Sequence, residues 1–280
     1  LRKRSPFAAK LGYAGTNLIV LLFSLSALFP IVWMLYTSLK TNKEFSLSTM
    51  SLPSSPTLEN YANAFNIGNI GSAIFSSLFN TVIAVPLIII CSFIIGYFFS
   101  RIEFKGKKGM MLLFLSGMMI PIHALLVPLF VQFKWMGMLD NRFTLILPYI
   151  AFHLPVAIFL FDSFIKGISK EIEEAAYMDG SSFDYTMFRV ILPICLPIMS
   201  TVAILSMLGT WNEFSFALVL NKSSELFTLP IWLTFFSGQY TTDYTGKIAG
   251  LVITSLPIIV MYLFFSNKIM TGMTAGAVKG

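Results

Sequence analysis

Six long apolar runs constrain this chain more than anything else in its sequence. They cover about residues 16–38, 72–100, 110–133, 143–165, 193–220 and 248–269. Each is long enough to cross a bilayer as a helix, which takes roughly 20 residues. In hydrocarbon, every backbone N–H and C=O must find its partner inside the protein, so runs of this length read as transmembrane helices. The expectation is an all-α membrane protein with six transmembrane helices, forming one membrane domain over 1–280. Charge agrees with this, because only 11% of the residues are Asp, Glu, Lys or Arg, against roughly a quarter in soluble domains. So few charges cannot cover a water-exposed surface, which excludes a soluble globular protein. Pro86 lies in the second run, Pro121 and Pro128 in the third, and Pro148 and Pro155 in the fourth. Neighbouring helices re-satisfy the carbonyls that such prolines free, so kinks rather than breaks are expected.

Six spans put both chain ends on one side. Thirteen of the nineteen Lys and Arg fall on that side, including Arg2, Lys3, Arg4 and Lys10 at the start. The opposite side holds Lys40, Lys43, Lys134, Arg142, Lys222 and Lys247. This bias places both termini in the cytoplasm. The first run exceeds the ~7–15 residues of a signal-peptide core and lacks a small-x-small cleavage site, so it reads as a retained span. The basic excess is spread over loops and speaks for orientation rather than nucleic-acid binding.

Between the fourth and fifth runs lies a polar island, EIEEAAYMDGSSFDYTMFRVILP, over 171–193. Ser169 is placed to cap a helix, with Glu171, Glu173 and Glu174 in its first turns, where carboxylates favour the positive helix end. Ile168, Ile172, Ala175 and Ala176 share one face. Gly180 stops this helix by taking the left-handed conformation cheaply. Ser181 and Asp184 are spaced as a capping box for a second helix, and Pro193 marks the change of direction into the fifth run. The expected local structure is an elbow of helix, glycine turn and helix. Lys166, Lys170 and Arg189 are outnumbered there by Glu171, Glu173, Glu174, Asp179 and Asp184. A helix lying on anionic lipid would be basic, so the acidic elbow suits a protein partner. Ala175 and Ala176 permit close approach, and Glu174 can pair with a partner's Arg or Lys. The alternative is a solvated connecting loop.

No catalytic constellation is visible: the chain has no phosphate-binding GxxxxGK[ST] loop, no HExxH and no paired-cysteine metal pattern. Cys91 and Cys195 lie in or beside apolar runs and suggest neither a disulfide nor a zinc site. His123 and His153 read as hydrogen-bonded structural residues. Glu213 is the one acid well inside an apolar run, and beside Trp211 and Asn212 it forms a candidate translocation path. Tryptophan offers a flat apolar face, and Asn and Glu offer hydrogen-bonding edges, which is how sugars are recognised. A helix–helix or gate hydrogen bond without substrate contact is the alternative. Asn80 and Gln132 are weaker candidates of the same kind, and Asp162 is expected at the membrane interface.

The island also carries a resemblance. Glu174-Ala175-Ala176, Gly180, Val190 and Leu192-Pro193 resemble, in identity and spacing, the EAA loop of bacterial ABC importer permeases, with Val190 where the family has Ile. PTLENYANAF at 56–65, LPIWLTFFSGQYTTDY at 229–244 and GMTAGAVKG at 272–280 resemble the second permease type of maltose-transporter-like carbohydrate importers, as does the WNEF-like string at Trp211. The resemblance implies the type I ABC importer permease fold and import of a carbohydrate of the oligosaccharide class. It implies a coupling loop over about 166–192, in which Glu174, Ala175, Ala176, Asp179 and Gly180 meet an ATPase and Leu192 and Pro193 join the elbow to the fifth span. The implied partners are a second permease subunit, two ATPase subunits and an extracellular solute-binding protein. No cofactor is implied in this chain, since ATP and Mg belong to the ATPase subunits, and the chain itself is no enzyme. The rival class is an ion-coupled secondary transporter or channel, which usually has ionisable residues in several spans.

Overall fold

The apolar runs fold as helices, and they end where caps, glycines or prolines stop them. The computed structural model describes residues 6–238 and 242–277. Its elements begin with α1 (Pro6–Thr37), α2 (Asn42–Leu47), α3 (Glu59–Asn66), α4 (Ile70–Arg101), α5 (Lys107–Gly117), α6 (Ile122–Trp135) and α7 (Ile146–Lys166). Then come α8 (Glu171–Met178), α9 (Phe183–Tyr185), a π-helical turn (Thr186–Ile191), α10 (Leu192–Ile194), α11 (Leu196–Trp211), α12 (Ser215–Leu220), α13 (Leu229–Trp232) and α14 (Tyr244–Ala277). Among the described residues no strands pair into a sheet; one isolated antiparallel bridge joins Ser237 and Thr242. Arg2, Lys3 and Arg4, residues 239–241 of the loop at 229–244, and residues 278–280 of the final motif lie outside the described residues.

Among the described residues, four helices are long and apolar enough to cross a membrane: Gly15–Thr37 within α1, all of α4 and α7, and Tyr244–Leu263 within α14. There are six if two bent pairs each count as one span. The fold is thus all-α and multi-spanning. The third run departs from expectation, because α5 and α6 meet at 96°. Pro121 breaks this run rather than kinking it. Its extended backbone (φ −64°, ψ 128°) stands just before α6, and its ring and missing N–H prevent α5 from running through. Pro86, Pro128 and Pro155 do lie inside helices. Pro148 sits in the first turn of α7, where its N–H would have no helical partner anyway. The fifth run departs too. The stretch Phe183–Ile194 meets α11 at 75°, so the turn falls at Cys195, between Pro193 and Pro197, and a second interruption at 212–214 separates α11 from α12.

The chain divides into two compact units. One comprises Leu1–Ile67 and Phe235–Ser255. In it, Thr41 and Glu44 form a capping box on α2, and Lys40 is fully buried, its Nζ donating to the carbonyls of Ser48 (3.0 Å) and Thr49 (3.4 Å). Thr57 accepts from the Glu59 N–H at 3.1 Å at the start of α3. The PTLENYANAF stretch is more than a capped surface helix, because Asn60 is buried and donates to the carbonyls of Ser38 (2.7 Å) and Lys40 (2.6 Å). Its Oδ1 accepts from Thr245 at 3.2 Å.

The other unit comprises Gly68–Thr234 and Leu256–Gly280. Its core lies where α4, α7 and α11 pack, with Ile88, Phe93, Phe161, Ile165, Ile191 and Val202 buried. Gly96 lets α4 and α7 approach: a Cβ there would lie 2.7 Å from Phe161 Cβ and 3.1 Å from the Asp162 nitrogen. Small residues at such crossings let helices interlock in membranes. Asp140 holds the α6–α7 connection to the end of α12. It adopts a left-handed backbone (φ 53°), and its Oδ1 accepts from the N–H groups of Lys222 and Ser223, both at 2.8 Å. The Ser223 hydroxyl, which donates to Oδ2, and these two N–H groups hold the Asp140 carboxyl below its usual range.

Two predictions follow from this packing. Gly96→Leu overfills the α4–α7 crossing and is expected to destabilise by about 1–3 kcal/mol or more, whereas Gly109→Ala, where nothing lies within 4 Å, leaves the melting temperature unchanged; thermal unfolding in detergent reads both. For Asp140, a folded-state pKa below the unfolded value of about 4 means its contribution is present above that value and is lost as pH falls through the folded pKa. The stability gap between wild type and Asp140→Asn is therefore expected to be widest above about pH 5 and to narrow as pH falls below about 4.

Candidate functional site

The polar elbow starts where α7 ends. Lys170 precedes α8, and Ser169 Oγ accepts from the Glu171 N–H only at 3.4 Å, so the expected serine cap is long and weak. Glu171, Glu173 and Glu174 do occupy the first turn. They are not equivalent: Glu171 and Glu174 are exposed while Glu173 is buried. Tyr97 Oη donates to Glu173 Oε2 at 2.7 Å, and Arg101 Nε pairs with Oε1. Arg101 Nη2 donates to the Ile168 carbonyl at 3.0 Å.

Gly180 ends α8 as expected, at φ 84°. Its N–H bonds the Tyr177 carbonyl and the Ser181 N–H bonds the Ala176 carbonyl, each at 3.0 Å, the paired bonds of a Schellman C-cap. The second leg is capped one residue later than expected. Ser182 Oγ, not Ser181, accepts from the Tyr185 N–H at 3.3 Å, and Ser181 shares a 2.7 Å hydroxyl bond with Thr186. The leg then widens into the π-turn, which turns Thr186, Met187 and Ile191 inward.

Ala176, Asp179, Gly180, Ser181, Ser182, Tyr185 and Val190 line one open depression of about 640 Å³. Glu174 and Ala175 are exposed on α8. Leu192 packs partly against the core and Pro193 is exposed, both on the second leg beyond that depression. The elbow also presents Met178, 87% exposed, and Tyr185, 58% exposed. Sequence reasoning missed these two; the only signal was an apolar residue beside Asp179 in a polar stretch.

The candidate path residues are not gathered on one surface. Trp211 is buried at the end of α11 and lines an apolar cleft of about 370 Å³ with Thr81, Pro86, Ser200 and Met207. Asn212 is exposed and its side chain donates to the Leu208 carbonyl at 2.9 Å. Glu213 is half-buried and caps α12: its carboxylate accepts from the N–H groups of Phe216 (2.6 Å) and Ala217 (3.1 Å). Tyr149 on α7 adds a third bond at 3.2 Å. Negative charge suits that helix end, which otherwise leaves N–H groups unbonded. Asn80 is buried on α4, and its Oδ1 lacks a hydrogen-bond partner. Gln132 is exposed. Asp162 is buried within the protein and paired with Lys166 at 2.7 Å, and α4 packs over it at the Gly96 crossing. His153 Nδ1 bonds the Tyr149 carbonyl at 2.7 Å while its Nε2 fills the space over Gly209; His123 is exposed beside the Pro121 break. Among the described residues no three His, Cys, Asp or Glu gather as metal ligands.

Four long apolar helices and two bent helix pairs, with a polar elbow following α7, make up a multi-spanning membrane fold. The family described as binding-protein-dependent transport system inner membrane component matches residues 60–267. The chain is 35% identical to the probable ABC transporter permease protein YurM of Bacillus subtilis (strain 168), over 96% of this chain and 90% of that one. It is 33% identical to the arabinooligosaccharides transport system permease protein AraQ of the same organism, over 94% and 95%. A bacterial ABC transporter involved in the import of the acidic polysaccharide alginate has the same fold, with a TM-score of 0.78 at 22% identity, covering 95% of this chain and 99% of that one. The chain belongs to the family of binding-protein-dependent transport system inner membrane components, the permeases of ABC importers. It is a membrane permease component of an ABC-type carbohydrate import system, half of a translocation pathway whose ATP hydrolysis takes place in a separate subunit, which sets aside the ion-coupled alternative.

The cap geometry carries its own test. Glu213→Ala leaves two N–H groups of α12 without an acceptor and is expected to cost about 1–2 kcal/mol, read as a lower unfolding midpoint, while Tyr149→Phe, which removes one longer bond, has the smaller effect.

Proposed function

We propose that this chain is one half of a heterodimeric channel that imports a carbohydrate of the oligosaccharide class across a bacterial inner membrane. It acts as one permease domain with both termini in the cytoplasm. A second permease subunit completes the channel, two ATPase subunits bind ATP and Mg, and an extracellular solute-binding protein delivers the sugar. The elbow at about 166–192 is the coupling loop. Glu174, Ala175, Ala176, Asp179 and Gly180 form its contact with an ATPase, and Leu192 and Pro193 carry the motion towards the fifth span. ATP-driven closure of the ATPase pair then turns the elbow as a rigid body and switches the spans from inward-open to outward-open.

One observation carries this reading. Four of the five contact residues, Glu174, Ala175, Asp179 and Gly180, are exposed on a helix whose end is fixed by a glycine cap, so the surface is both free and stiff. The acidic balance of the elbow supports a protein partner over anionic lipid. The sugar class is supported by the permease of arabinooligosaccharide transport among its relatives. Trp211, Asn212, Glu213 and Asn80 remain the proposed path, with Trp211 offering the apolar face and Asn212 an exposed amide. Glu213 acts there through its cap on α12.

The test uses the complex purified from its host. Gly180→Val forces a β-branched residue into a left-handed backbone, costing roughly 1–2 kcal/mol locally, and together with Glu174→Ala it is expected to leave ATPase activity uncoupled from sugar uptake or to release the ATPase. Wild-type uptake per ATP in both variants would remove the coupling role.

A further inference from the structure

We propose that Arg101, Glu173 and Tyr97 are positioning residues that fasten the elbow to α4, so that motion of the elbow is delivered to that span as well as to the fifth. The inference rests on the docking reading above and adds to it the load path on the other side of the elbow.

The joint sits at an element boundary. Arg101 is the last residue of α4, and Glu173 is in the first turn of α8. Their side chains are 8% and 9% exposed. Tyr97 lies one helical turn before Arg101, so one face of α4 holds both oxygens of the Glu173 carboxylate. The same guanidinium donates to the Ile168 carbonyl, in the link between α7 and α8. The second leg is fastened as well: Phe183 packs edge-on to Tyr97, with ring centroids 5.7 Å apart, and against Phe98 at 5.9 Å. Both legs of the elbow therefore end on the last turns of α4.

The chemistry makes this joint stiff. Charge-assisted hydrogen bonds in a low-dielectric site are short and directional. Sliding the elbow off α4 strips a buried carboxylate and a buried guanidinium of their partners, a costlier event than parting an exposed pair in water. Of the three first-turn glutamates only Glu173 is turned inward, which leaves Glu171 and Glu174 free on the outer side.

The test reads the joint directly by pulsed electron–electron distance measurements on the assembled complex. Spin labels are placed at Met178→Cys on the elbow and Val82→Cys on α4, with Cys91→Ala and Cys195→Ala as background. In otherwise wild-type protein the distance distribution is expected to stay the same when the non-hydrolysable nucleotide AMP-PNP is added. In Glu173→Gln it is expected to shift by about 2 Å or more, the size of interface helix shifts. Tyr97→Phe, which keeps the ring and the ion pair, is expected to broaden the distribution, and exchanging the charges with Arg101→Glu and Glu173→Arg is expected to restore it. Distributions like wild type in every variant that assembles overturn the proposal, and so does a wild-type distance that changes with nucleotide. Cross-linking of Met178→Cys to the ATPase reads docking separately. Its absence sinks the docking reading and the joint with it, whereas a cross-linked complex with unaltered distributions sinks the joint alone.

Discussion

The buried ion pair between Arg101 and Glu173 is the interaction on which the elbow, and much of its unit, depends. Desolvating two charges costs several kcal/mol each, and their attraction offsets that only when the remaining lone pairs and protons are also bonded. Here Tyr97 fills the second carboxylate oxygen and the Ile168 carbonyl takes a guanidinium proton. The pair thus fixes three things together: where α4 stops, how the chain leaves α7, and which way α8 faces. Removing one partner of such a pair typically costs about 3–5 kcal/mol, because the other charge is stranded.

Elsewhere in this unit the same problem recurs, and similar means solve it. A helix that stops inside an apolar protein exposes N–H or C=O groups that water cannot reach. Glu213 supplies acceptors where the fifth run is interrupted before α12. Where the chain leaves α12, the Asp140 N–H donates to the Leu220 carbonyl and the Asp140 carboxylate accepts from the next two loop N–H groups. The Gly180 cap satisfies the carbonyls at the end of α8 by backbone alone. The carboxylates of Glu213 and Asp140 are thus structural fittings at helix ends.

This division marks what was legible in the sequence. The apolar runs, the glycine stop at Gly180 and the acidic first turn of α8 follow from length, propensity and local charge, all of them short-range. The break at Pro121 was not legible, since the same residue type at Pro86 and Pro155 sits within an unbroken helix; packing around each proline decides. The cap at Ser182 rather than Ser181 is a one-residue shift below what spacing resolves, and the π-turn after it has no sequence signature. Glu213 stood out as an anomalous acid, yet its role depends on an interruption three residues long that hydropathy passes over. Arg101 and Glu173 were read only as an orienting charge and a first-turn charge, because 72 residues separate them.

The adjacent glutamates 173 and 174 show what the fold adds. Successive helical residues point about 100° apart, so two neighbouring carboxylates cannot serve the same side. Once Glu173 is drawn inward to Arg101, Glu174 is turned outward and held there with Ala175 by the same anchor. A surface meant to receive force from a partner must not yield at its own root. The local motif Glu-Ala-Ala with a glycine four residues on describes the receiving face alone. The root lies one residue earlier in sequence and, through Arg101, two spans away in the chain, so it is packing and not the local motif that keeps the elbow in place.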